Sequence, residues 1–312
     1  MKKSNKSLYV NLEKIDKMAR NAVEKLNQQR QLCHYTALNS MVGMLAQTNS
    51  NNNKALNFWA SSIYAMNDPE EIMFGYDCLW DALPMIEKEL NIDGQKRISK
   101  IWKRLKTKEK DKYYNELVKE GLKKKDKMPF VISLSTKVDT LDMWQVYANK
   151  GCGVCIVFKE GALNISGIKP MKIEYLDKAS QGSIPYKVMK ELYKEEYLDK
   201  CQIHNELHEA LSFFSSVVMG IAPYIKKKDF EFESEYRIVS ITDMKANVKT
   251  RISKNNNIVP YIEYPMSIEA IERIILGPCI DATKNKSLLE VTLKSKSIDI
   301  PVNISSKHLV QY

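Results

Sequence analysis

Apolar and polar positions along the chain follow two different periods, and the switches between them mark out its elements. From Leu12 to Leu26 the apolar residues recur at three- and four-residue intervals, which predicts an amphipathic helix. LCHYT (32–36) predicts a short strand, Ser40–Gln47 a helix, and FWASSIYAM (58–66) a second strand that stops at Asn67-Asp68-Pro69, a turn signal. Glu70 and Glu71 then fall in a first helical turn, where carboxylates suit the helix dipole. PFVISLST (129–136) predicts a strand, and VDTLDMWQVYANKG (138–151) a helix closed by Gly151. CGVCIVF (152–158) and MKIEY (171–175) read as strands, and residues 184–222 as helical throughout, as two packed helices. FEFESEYRIVSI (230–241), NIVPYIEY (257–264) and IERIILGP (271–278) add three strands, 281–293 a helix, and SIDIPVNIS (297–305) a last strand.

No internal repeat and no dividing linker interrupts this series, so the expectation is one α+β domain over 1–312 with a mixed or antiparallel strand core. Three helical segments stand outside that core in the pattern: an N-terminal helix in 1–30, a basic insertion at 81–128 and a second insertion at 184–222.

Charge changes the picture in one place. The chain of 312 residues carries a formal +10, and residues 96–127 hold 14 Lys or Arg against five Asp or Glu. A solvated helical insertion accounts for such a segment, and so does a surface for nucleic acid or another acidic partner. The polar start MKKSNKSLYVNLEKID has no apolar leader core, and no run reaches the roughly 18 apolar residues of a membrane span, so a cytoplasmic, membrane-free protein is expected. Six cysteines in a chain of this length read as reduced thiols.

Cys201, His204 and His208 share one helix face, and Cys152 and Cys155 offer a remainder for a zinc site. A regular strand sends the two sulfurs of CGVC to opposite faces, and the His-x-Glu-x-His order is not that of a zinc protease, so no metal is expected. His34 sits beside Tyr35 in a strand, Ser133 and Ser135 share a strand face, and Trp144 and Tyr147 stand at helical spacing, each also compatible with plain core packing. Read as a strand, FEFESEYRIV places Glu231, Glu233, Glu235 and Arg237 on one face. Same-face neighbours are about 7 Å apart, so the three carboxylates repel one another unless something cationic faces them. Acidic gatekeeping of a solvent-facing edge strand is the plain alternative.

The ordered set HYT (34–36), NDPE (67–70), SLS (133–135), MWQVYANKGCGVCIVF (143–158), ESEYR (233–237) and IILGP (274–278) resembles a bacterial family known only as domain of unknown function 2971, over about residues 32–280. The same order of residue types is more distantly similar to ADP-ribosyltransferases. That resemblance implies an ADP-ribosyltransferase-like core that uses NAD as substrate. His34, Tyr35, Ser133, Ser135, Trp144, Tyr147 and Arg237 would line the dinucleotide cleft, and Glu235, Glu233 and His34 would carry the chemistry. Thr136 stands one position away from the family's third hydroxyl. Cleaving the nicotinamide–ribose bond builds positive charge on the sugar, which a fixed carboxylate stabilises; Glu235 is placed in that role and Glu233 in orienting the acceptor or taking its proton. Transfer to a protein or nucleic-acid acceptor and simple glycohydrolysis share these residues, and a defence or toxin role is what the resemblance suggests. The rival is a nucleic-acid- or partner-binding protein acting through 96–127 without catalysis.

Overall fold

The computed structural model describes residues 11–23, 30–46, 55–66, 70–93, 99, 127–165, 167–194, 215–243, 247–253, 256–278 and 281–307. Twelve strands and seven labelled helices are used below: α1 (Leu12–Val23), β1 (Cys33–Ala37), α2 (Leu38–Ala46), β2 (Ala55–Ser62), α3 (Glu71–Glu89), β3 (Lys127–Ser135), α4 (Leu141–Tyr147), β4 (Gly153–Phe158), α5 (Ala162–Ile165), β5 (Met171–Lys172), β6 (Glu174–Leu176), α6 (Ile184–Leu192), β7 (Ile225–Lys227), β8 (Glu235–Asp243), β9 (Lys249–Ile252), β10 (Ile258–Ser267), β11 (Ile271–Leu276), α7 (Ala282–Ser295) and β12 (Val302–Ile304).

The protein is mixed α+β, built on one mixed ten-stranded sheet ordered β12-β11-β4-β1-β3-β2-β10-β9, with β8 on β3 and β5 on β8. Most pairs are antiparallel, while β11 and β12 run parallel. β6 and β7 form a separate parallel pair. β3 is the branch point: β8 runs along its whole length, while β1 meets it at Ser135 and β2 at Phe130 and Val131.

Alternation along β3 divides the interior. Phe130, Ile132 and Leu134 enter one apolar layer with Phe58, Ile156 and Ile238, whereas Val131 enters the other with α1, α3, α6 and the helical residues 215–221. α4 closes a third, smaller layer against Cys33, Tyr35, Cys155 and Ile275.

Several expectations change. Residues 81–89 are not the start of an insertion, because α3 continues through them with Ala82, Leu83 and Ile86 wholly buried. α6 and residues 215–221 are likewise core, not appendage, and α1 docks with Ile15 against the bare face of Gly220. The strand at 58–66 breaks at Ser62, whose hydroxyl accepts the amide of Tyr64 and starts a 3-10 turn. The strand expected from Phe230 begins only at Glu235, because Lys228–Glu233 coil into a 3-10 helix. β7 and β9 were not foreseen. The basic segment 96–127, apart from Ser99 and Lys127, lies outside the described residues, as do Cys201, His204 and His208. Among the described residues no helix is long and apolar enough to cross a membrane.

Candidate active site

The β3–β8 register sets the site. Ser133 pairs with Arg237 and Ser135 with Glu235, so two hydroxyls and two charges share one sheet face. Glu233 reaches the same place by another route: the 3-10 helix ends at Ser234 in the left-handed region (φ 46°, ψ 50°), which turns the chain into β8. That conformation costs a residue with a Cβ about 1 kcal/mol. It is held by Ser135 Oγ donating to the Glu233 carbonyl at 2.6 Å and by the Thr136 amide donating to the Ser234 carbonyl at 3.3 Å.

Five charged side chains converge beneath this turn, and all are buried: Glu71 from the first turn of α3, Lys226 from β7, Glu233, Glu235 and Arg237. Lys226 Nζ lies 2.6 Å from Glu233 Oε2, 3.3 Å from Glu235 Oε2 and 3.4 Å from Glu71 Oε1. Arg237 grips Glu235 with two donors, Nε to Oε1 at 2.7 Å and Nη2 to Oε2 at 3.1 Å, and gives Nη2 to Glu71 Oε1 at 2.9 Å. The Tyr147 hydroxyl donates to Glu233 Oε1 and the Glu235 amide donates to the Tyr175 hydroxyl at 2.8 Å. Glu71 Oε2 is buried with no hydrogen-bond partner. Three carboxylates thus face two cations, which leaves one surplus negative charge in a low-dielectric interior.

The surplus separates the two neighbouring carboxyls. Burial raises Glu235, but Arg237 and then Lys226 outweigh it and hold the group at about 2, with Ser133 assisting. Burial raises Glu233 as well, and there the repulsion from Glu235 adds to it, so Lys226 and Tyr147 do not bring it back to its ordinary value. Burial and the charge of Glu233 push the Tyr147 phenol up, so it remains a donor. Burial alone would lower Lys226, yet Glu235 and Glu71 keep it above its usual value.

The remaining residues expected at the site divide between the two sheet faces. Tyr35 donates to the Lys137 carbonyl at 2.8 Å and meets Trp144 edge-on at 5.0 Å, and Trp144 Nε1 donates to Asp139 at 2.8 Å. This pair seats α4 and so places Tyr147. His34, one residue out of step, turns to the opposite face and packs edge-on to Phe58 at 5.5 Å. Its Nδ1 lies 2.8 Å from the Ser133 carbonyl, which fixes that nitrogen as the protonated one. Burial lowers the imidazole, with Arg251 opposing a second positive charge, so His34 is neutral. Glu71 is a residue of the cluster that sequence reasoning did not assign: its place in a first helical turn is visible in the sequence, its long-range partners are not. Among the described residues no cluster of three or more His, Cys, Asp or Glu is arranged to hold a metal ion.

An open groove of about 540 Å³ lies beside the cluster, lined by Leu141, Asp142, Gln145, Val146 and Phe232. Phe232 and Val146 precede Glu233 and Tyr147 in the chain, but the groove lining includes neither member of that hydrogen-bonded pair. Neither a curated protein nor a solved structure matches the chain. Residues 143–238, from α4 into β8 and including Tyr147, Lys226, Glu233, Glu235 and Arg237, match the family model described as Protein of unknown function (DUF2971).

Proposed function

We propose that the protein acts on NAD, cleaving the bond between nicotinamide and ribose and passing the ADP-ribosyl group to water or to an acceptor. The observation that carries this reading is the Glu233–Lys226–Glu235 arrangement: two carboxylates on one lysine, one locked by Arg237 and the other bonded to Tyr147. Carboxyls driven apart in acidity are suited to different tasks at one bond. Glu235 stays ionised and, with the excess charge of Glu71, favours the positive charge that grows on the ribose as the bonding pair leaves with nicotinamide. Glu233 takes the proton from the attacking oxygen, which is work for a carboxyl displaced toward neutrality. Ser133 and Ser135 contribute to the same face, and Tyr35 and Trp144 act through the placement of α4. His34, on the other face, is left to a structural role in this reading.

The decisive experiment compares Glu233→Gln with Glu231→Gln. Glu231 is exposed on the same 3-10 turn and serves as the control. Nicotinamide release from NAD is expected to fall by about 100-fold or more in Glu233→Gln, the usual loss for a positioned proton acceptor, and to stay unchanged in Glu231→Gln. Equal behaviour of the two variants, or no NAD binding by folded protein at about 1 mM ligand, removes the reading.

A further inference from the structure

β9, β10 and β2 lie side by side, with Arg251 opposite Val259, and Tyr261 flanked by Lys249 and Ser61. Alternation places Arg251, Lys249, Tyr261, Glu263, Ser61 and Trp59 on one face of these three strands. The two cations there are treated differently. Lys249 Nζ pairs with Glu263 at 2.5 Å. Arg251 gives Nη2 to the Ser61 hydroxyl at 3.0 Å and lies 5.8 Å from the Trp59 ring, which stacks obliquely on Tyr261 at 5.1 Å. No carboxylate among the described residues is paired with it, and its Nε–H is buried with no acceptor. Burial lowers the guanidinium, and of its ionisable neighbours only the Tyr261 phenol acts to raise it.

A half-buried cation held in a fixed pose without a counter-ion is costly, since a buried donor to a charged group is worth most when it is satisfied. Ser61, accepting from Arg251, keeps its own proton to give. We infer that Arg251, Ser61 and the Trp59 edge form a binding site for a phosphate monoester, whose oxygens accept from the half-exposed Arg251 guanidinium and from Ser61 O–H and whose charge matches the surplus cation of this face. Phosphate fits better than carboxylate because its oxygens point in three directions, so one ligand takes donors that do not lie in a plane, and its second charge answers the uncompensated guanidinium. The site shares no residue with the carboxylate cluster, and the inference does not depend on the NAD reading.

Calorimetric titration at matched ionic strength tests it, with inorganic phosphate and AMP as probes and acetate as the control anion. Phosphate is expected to bind the wild-type protein and acetate not to. Arg251→Gln is expected to weaken phosphate at least about ten-fold, the scale of a charge-assisted hydrogen bond, and Ser61→Ala by a smaller factor. Arg251→Lys, checked for folding by circular dichroism, retains the charge without the planar guanidinium fork and is expected to bind weakly too, which guards against misfolding of the Gln variant. AMP binding more tightly than phosphate assigns the ligand to a nucleotide, and equal binding assigns it to phosphate itself. Acetate binding as tightly as phosphate, or phosphate binding unchanged in both Arg251→Lys and Ser61→Ala, overturns the proposal.

Discussion

Arg237 is wholly buried, so its charge is carried entirely by Glu235, Glu71 and the Pro223 carbonyl. Removing one partner from a buried pair costs more than the pair contributes, because the survivor is left charged and dry. Arg237→Met is therefore expected to destabilise the protein by about 3–5 kcal/mol in urea unfolding. Glu235→Gln is expected to be destabilising for the same reason. Read as one face of a strand, the three carboxylates of FEFESEYRIV imply the opposite, relief of repulsion, because the pattern reveals neither that Glu231 turns out to solvent nor that Lys226 folds onto Glu233 and Glu235. The pH dependence follows in sign. Glu235 is depressed from its ordinary 4.5 to about 2, so its contribution is complete above pH 4.5 and disappears as pH falls toward 2. A shift of that size corresponds to about 3 kcal/mol. Glu233 is raised, so it favours folding below its ordinary value and that advantage is lost as pH rises through its folded value. Melting temperature against pH is expected to lose its steep acid limb in Glu235→Gln, while Glu233→Gln is expected to be neutral or stabilising at pH 7.

At the level of elements, α4 carries Tyr147 to Glu233, and glycines set how closely it sits. A Cβ on Gly277 would stand 2.1 Å from the Gly151 carbonyl oxygen and 3.0 Å from the Trp144 ring, and one on Gly153 would stand 2.3 Å from the Thr36 carbonyl oxygen and 2.9 Å from Ala148. Gly277→Ala is expected to cost about 1–3 kcal/mol through this overpacking and to lower NAD turnover by displacing Tyr147, with Gly153→Ala alike in stability. Thermal unfolding and turnover of the two variants check it. Elements with a strong period were legible in the sequence: α1, β1, β3, β4, β10 and β11 stand where hydrophobic spacing puts them, within a few residues, whereas only the first turn of α3 was. The short turn at Lys228–Glu233 was not, since alternating Phe and Glu has the strand period whether or not a ladder partner exists. β3 stops pairing with β8 at Ser135, opposite Glu235, and without a partner strand the preceding residues coil. Half of the site was readable in the same way. Ser133, Ser135, Glu235 and Arg237 share a face by local periodicity, whereas Glu71 and Lys226 reach it through tertiary packing, and His34 leaves it because one residue of strand phase sends it to the other face.

For the whole molecule, two chemistries stand on different strands of one branched sheet. The cluster around Glu235 has a surplus negative charge and faces the helical layer, while the Arg251 face holds a surplus positive one. Neither depends on the strongest charge feature of the sequence, the 14 Lys or Arg of 96–127, nearly all of which fall outside the described residues. This separates the NAD reading from the basic-segment reading experimentally. Reversing Lys123, Lys124 and Lys125 to Glu changes the charge of that segment by six without touching any residue assigned to the carboxylate cluster. NAD turnover is expected to stay within about two-fold, the range of substitutions remote from a site. Binding to an oligonucleotide, where it occurs, is expected to weaken and to lose part of its salt dependence, since each phosphate neutralised by a lysine contributes about 0.9 to the slope of log K against log salt. A triple variant that loses NAD turnover along with oligonucleotide binding places the activity with the basic segment instead, and the Glu233 cluster is then a buried structural network.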